Sequence, residues 1–583
     1  MIPLKTKLCG AILILFFFAT SALGANSLST NDNTTSVVGV NIRSTKHNLS
    51  ISGPGDIRAS SESRICIFCH IPHQKGSATQ YLWNRSDPAN PYIPYFSSTL
   101  KADVGQPTGA SRMCLSCHDG TIALGAIASS PKEIPFRGGI RFMPPDSASN
   151  LGTDLSDDHP VSFVYDRALS LENLELKDPS LLYPAVTLDK YNRLQCTSCH
   201  DPHDDSYGRF LVMDNTASAL CTACHDKRGW NRSSHSQSTA MLVRSGGLWS
   251  NTDYRTVAEN GCENCHVPHS AGAPERLLQF EKEEDNCLVC HNGKVAASDI
   301  AATLSMRYTH PVQNYLGIHD AAEDFTSGNV PKHVECCDCH NPHQANGDPS
   351  PGGGMVSGAN RGVSGVSAGG AAVTEARYLY EICFKCHGDN NVIDVLPVSR
   401  QIEQLNPREQ FNPAGASFHP VETRGKNTDV PSLLPPLTAS STITCTDCHG
   451  SSDPSAVPGP HGSDYPYLLT DRYTTEDNTP ESPGSYALCY ECHSRSILFN
   501  DVSFPHKLHV VDQKAPCSAC HDPHGVGAMQ GNALHNSHLI NFDLTIVSPD
   551  NTGRLEYTSR GRFSGACALS CHGKLHNPES YPE

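Results

Sequence analysis

The sequence predicts a mostly coiled chain with short α-helices and little β structure, its interior filled by something other than aliphatic side chains. Three observations predict this class. Of 583 residues only 38% are hydrophobic and 18% charged, too few apolar groups for a large core and too few charges for solvated disorder. Gly 45 and Pro 41 interrupt regular structure throughout. Cys 26 and His 30 are far above ordinary usage. Long amphipathic patterns are absent; Thr374–Cys383 and Ser485–Cys492 read as short helices, and Val161–Tyr165 alternates as a short strand would.

From the N-terminus, Lys5 and Lys7 precede an apolar run, Leu8 to Ala19, and small residues at Ser21, Ala22 and Gly24. This is a secretory signal over residues 1–24, shorter than the roughly 20 apolar residues of a membrane span. No later segment could span a bilayer, so the mature chain is expected to be exported, to the periplasm or outer surface of a Gram-negative bacterium. A formal charge of −17 without a basic patch argues against nucleic acid and favours cationic partners, including positively charged mineral surfaces.

Export usually makes many cysteines a disulfide framework, but the spacing overrules that prior. Cys66-Ile67-Phe68-Cys69-His70 is C-x-x-C-H, the attachment signature of c-type haem. It recurs at Cys114, Cys117 and His118; Cys196, Cys199 and His200; Cys221, Cys224 and His225; Cys262, Cys265 and His266; and Cys287, Cys290 and His291. It continues at Cys336, Cys339 and His340; Cys383, Cys386 and His387; Cys445, Cys448 and His449; Cys489, Cys492 and His493; and Cys517, Cys520 and His521. A twelfth copy, Cys567, Cys571 and His572, has one extra residue between its cysteines. Each cysteine pair would form thioethers and each following His would be the proximal iron ligand, giving twelve covalently bound haems. Zinc ribbons share C-x-x-C but not this repeated His. Cys9 leaves with the signal, and Cys337 is left over as an inert thiol or an intermolecular link.

Eighteen histidines remain. Five follow a proximal His by three residues, as C-H-x-P-H: His73, His203, His269, His343 and His524. Three extended residues reach about 10 Å, too short to wrap round the same porphyrin, so each must ligate a neighbouring haem, with Pro aiming it away. A second group lies upstream of the first motif of each pair: His47, His159, His310 and His419, with His235 the weakest. The upstream ligand of the last pair is left open among His506, His509 and His538. In the fifth pair the x-P-H ligand is displaced to His461. The chain is thus a sixfold repeat: 25–130, 131–228, 229–295, 296–392, 393–497 and 498–583, with a Gly/Ser-rich flexible loop at 348–372. His319, His333, His509, His535, His538 and His576 are surplus and read as solvated. Met 8 cannot serve twelve irons. Without haem the chain should not fold.

The motif pairs, Leu82-Trp83-Asn84-Arg85 after the first, and His538-Leu539-Ile540-Asn541-Phe542 near the end resemble the multihaem c-type cytochromes with paired C-x-x-C-H motifs of dissimilatory metal-reducing bacteria. That resemblance implies bis-histidine haems forming the core in a closely stacked row, and electron transfer to extracellular acceptors such as metal oxides, through partner cytochromes or outer-membrane electron conduits. Two imidazoles per iron leave no substrate site, so the expectation is an electron carrier without substrate chemistry. The alternatives are a multihaem reductase with one open haem, disfavoured because no C-x-x-C-K occurs, and a subunit of a polymeric cytochrome filament.

Overall fold

The computed structural model describes residues 41–71, 82–244, 248–250, 252–315, 319–320, 323–327, 333–390, 396–500 and 504–581. The signal sequence, Cys9 and His73 lie outside them.

Regular structure is short and scattered because prolines and glycines stop each element after one or two turns. The longest helices, Gly109–His118 and Leu379–His387, each end on a C-x-x-C-H motif. The second starts at Leu379, later than the sequence pattern suggests, because the Glu381 carboxylate accepts from the backbone N–H groups of Arg377 and Tyr378 and fixes the start there. The helix expected over Ser485–Cys492 is reduced to Ala487–Tyr490. Val161–Tyr165 contributes only an isolated bridge, Val164 to Arg193.

Apolar packing is divided among small clusters. The largest gathers six buried residues: Ala515, Ala519, Phe542, Val547, Tyr557 and Leu569. Buried guanidinium groups fill in where aliphatic side chains are missing. Arg85 is 3% exposed and donates to the carbonyls of Ser116, Ala123 and Leu124, pinning the two motifs of the first repeat together. Arg400, from the fifth repeat, donates to the carbonyls of Ser518 and Asn541 in the sixth and so joins those two repeats. The Gly/Ser-rich stretch 348–372 is carried inward by Val363 and Val366, 3% and 2% exposed.

Strands β1 (Tyr308–Thr309), β4 (Ser417–Phe418), β5 (Gly462–Ser463) and β6 (Gly525–Val526) are two-residue pieces. β1 pairs with β5, and β4 with β6, both antiparallel. Each pair joins the upstream histidine of one repeat (His310, His419) to the x-P-H segment of the next (His461, His524). An isolated bridge, Asn41 to Asp204, makes the same stitch between the first two repeats. β2 (Gly365–Val366) and β3 (Ala372–Val373) form a small hairpin.

The C-terminus departs from the expectation of coil. β9 (Gly565–Cys571) carries β10 (Lys574–Tyr581) on one edge, and β8 (Glu556–Ser559) and β7 (Val547–Ser548) on the other. The extra residue of the twelfth motif makes this compatible with haem attachment. Cys567 and Cys571, four apart, share one face of a strand, whereas cysteines three apart would point to opposite faces.

Candidate functional site

In the other motifs the local fold is one turn of helix. The His N–H donates to the carbonyl of the first Cys, as at His70 (2.8 Å to Cys66), His225 (2.9 Å to Cys221) and His449 (2.8 Å to Cys445). One turn puts residues i, i+3 and i+4 on a common face, so two sulfurs and one imidazole address the same space.

The imidazoles then meet in pairs. Upstream histidines face the second motif of their own repeat: His47 and His118, His159 and His225, His235 and His291, His310 and His387. Each x-P-H histidine faces the first motif of the preceding repeat: His203 and His70, His269 and His200, His343 and His266, His461 and His340, His524 and His449. Ring centroids in these nine pairs are 6.1–6.3 Å apart, while interplanar angles run from 9° to 84°. Direct aromatic contact couples distance to angle. Two nitrogens bound in line to one metal, each at about 2.0 Å, fix the distance near 6 Å and leave rotation free. The pairs therefore fit bis-imidazole ligation of iron.

His419 lies within electrostatic reach of His493 and of His521. Among the described residues no imidazole is placed opposite His521 at the 6.2 Å spacing. The twelfth motif also differs. His572 sits in the β9–β10 turn with φ 50° and its Nε2 is 2.8 Å from Asp477. His576, which the sequence reading left as solvated, faces His509 at 6.4 Å. Its register opposite Leu569 puts it on the Cys567–Cys571 face. His506 instead packs on Phe504, 4.7 Å away.

Burial sets the charge state. It pushes His225 and His343 down to about 3 and His387, His461, His493, His521 and His524 to about 4. Neutral imidazole is the form that binds metal. Burial pushes the Cys69, Cys199, Cys265 and Cys339 thiols up to about 12, while neighbouring thiols bring Cys196 and Cys262 down to about 7. Burial also raises Cys337, whose backbone N–H donates to Glu283.

Carbonyl oxygens aim the rings. Nδ1 of His47 donates to Pro202 O at 2.9 Å, His235 to Pro342 O at 2.8 Å, His310 to Pro460 O at 2.7 Å, and His419 to Pro523 O. These four prolines thus orient the upstream ligand of the repeat before their own, a role sequence reasoning missed; Pro268 instead accepts from the His159 backbone N–H, and the His159 ring reaches Pro160 O at 3.1 Å. A second orienting device follows the first motifs. His200, His266, His449 and His521 donate to the carbonyls of Arg209, Arg276, Tyr467 and His538 at 2.8–2.9 Å. All four acceptors have φ between 52° and 61°. The recurring Arg-Phe-Leu, Arg-Leu-Leu, Tyr-Leu-Leu and His-Leu-Ile triplets were the available signal. His538, held as a substitute ligand, acts here through its backbone. Such outer hydrogen bonds fix ring orientation and ligand basicity.

The sulfurs run in sequence order. Between repeats, Cys114 and Cys196, Cys221 and Cys262, Cys287 and Cys336, Cys383 and Cys445, and Cys489 and Cys517 are close enough to shift each other's ionisation. Within repeats, Cys69 and Cys117, Cys199 and Cys224, Cys265 and Cys290, Cys339 and Cys386, Cys448 and Cys492, and Cys520 and Cys571 feel each other electrostatically. No motif is skipped.

Comparison with known proteins agrees with this geometry. The family described as a doubled CXXCH motif matches residues 191–229, 255–296 and 435–497. Over 164 residues the chain is 26% identical to the multiheme cytochrome MtrA of Shewanella baltica (strain OS185), a stretch covering 26% of this chain and 36% of that protein. The chain thus matches little more than a third of that relative's length. Motifs and matches together define a multihaem c-type cytochrome of the type made by metal-reducing bacteria.

Proposed function

We propose that the chain carries electrons along twelve c-type haems arranged in sequence order, outside the cytoplasm, toward partner cytochromes and extracellular acceptors such as metal oxides. Bound haem would supply reversible one-electron chemistry at iron. The protein's own residues do the rest. The paired imidazoles would hold each iron and leave no room for substrate on it, and His rather than Met ligation would favour low potential. The observation that carries the proposal is the series of imidazole pairs that face each other across successive repeats. Among the described residues no helix is long and apolar enough to cross a membrane. The test is removal of one centre from the middle of the row. C287S/C290S should lose one haem in twelve yet slow charge passage through an adsorbed protein film more than tenfold. An unchanged current would overturn the row.

One observation favours a second reading. Among the described residues no imidazole stands opposite His521 at the spacing of the other pairs. Donation of a histidine from another copy, with His73 the candidate, would complete that site through a heterologous, head-to-tail contact of the kind that builds filaments. Micrometre fibres by negative-stain microscopy, abolished by H73A, are the expected sign. Monomeric particles with a high-spin haem at His521 would favour the reductase reading instead.

A further inference from the structure

Beside the seventh motif lies a group of side chains that haem attachment does not use. His319, Glu335 and Asp338 present one nitrogen and two carboxylate oxygens within 4.8 Å of one another. His319 Nδ1 is 3.1 Å from Asp338 Oδ1 and 3.5 Å from Glu335 Oε2. The side chains of Glu335 and Asp338 are only 2% and 4% exposed. Both Glu335 oxygens, Asp338 Oδ1 and His319 Nδ1 are buried and make no aligned hydrogen bond. Buried carboxylates are ordinarily hydrogen-bonded or bound to a cation.

Among the described residues the two carboxylates pair only with the His319 imidazole, and the nearby cations are directed elsewhere. Lys385, 2% exposed, directs its ammonium at the Asp338 carbonyl. Arg276 donates to the His319 carbonyl. Glu283 adds a further negative charge, its carboxylate accepting from the backbone N–H groups of His319 (3.0 Å) and Cys337 (2.8 Å). It thereby locks the segment bearing His319 to the segment bearing the two acids.

We propose that His319, Glu335 and Asp338 bind one divalent ion of the zinc class, which ties the His319 segment to the haem-attachment turn Cys336–His340. Donor atoms held tetrahedrally at about 2.0–2.1 Å from one zinc stand roughly 3.3 Å apart, between the two separations seen. One imidazole with two carboxylates suits zinc or a similar transition ion, whereas calcium and magnesium favour six or more oxygens. The inference rests on these side chains alone and is independent of the number of haems and of the electron-transfer reading.

The test is metal analysis of the mature holoprotein, exposed to zinc, desalted and measured by mass spectrometry against haem absorbance. One zinc per chain is expected for the wild type, with D338N and H319Q binding at least tenfold more weakly at unchanged haem content. Equal zinc in wild type and variants would identify adventitious surface binding and overturn the proposal. So would a wild type that retains no zinc, a result that does not depend on the variants maturing.

Discussion

Replacing His203 by Ala should open one iron, the one attached through Cys66 and Cys69. His203 faces His70 across 6.2 Å, while His200, three residues before it, is already paired with His269. The side chain is 61% exposed and its ring nitrogen reaches only Asp201, at 3.3 Å. The thioethers of Cys66 and Cys69 would still retain that haem, so the haem content should not change. The loss is therefore electronic: one haem in twelve, roughly 8% of the iron, should pass from low to high spin when its second imidazole goes. Electron paramagnetic resonance of the oxidised protein measures this directly. Repeating it with C66S/C69S and with C196S/C199S backgrounds maps the affected centre by the logic of a double-mutant cycle. The high-spin signal should vanish in the first background and persist in the second. The reverse would refute the cross-repeat ligation. The reach of three extended residues says only that a neighbouring haem is affected; the ring pairing selects that of Cys66 and Cys69.

Two further outcomes are expected. H576A should produce a high-spin haem while H572A leaves the spectrum unchanged and loses only its contact with Asp477; the opposite pattern in resonance spectra would restore the motif-based assignment of His572. Burial pushes Glu422 up to about 7, with Oε1 lacking a hydrogen bond. Its folded pKa exceeds the unfolded value, so the unfolded chain releases the proton first and stability falls as pH rises from about 4.5 to 7. E422Q should therefore be more stable than wild type at pH 8 and no more stable at pH 4. Thermal melts across that range check it.

The twelve attachment motifs were legible in the sequence because their geometry is local. Cys, Cys and His fall within a single turn, and nothing outside that turn is needed to bring them together. The reach of three extended residues was also enough to say that an x-P-H histidine serves a haem other than its own. It could not say which, because His70 and His203 meet only after the first two repeats have docked through the Asn41–Asp204 bridge. The same holds for His461. Its displacement was readable, but its partner His340 depends on β1 pairing with β5.

Where the sequence misled, a longer-range pairing had replaced the local rule. The extra residue in the twelfth motif converts a turn into a strand, and strand register, not adjacency to Cys571, brings His576 to that face. Sequence by itself determined the cofactor chemistry, since covalent attachment needs only neighbouring residues. Tertiary structure decided which imidazoles face each other and in what order the motifs stand. Those relations join segments distant in the chain, and only the packing of one repeat on the next can fix them.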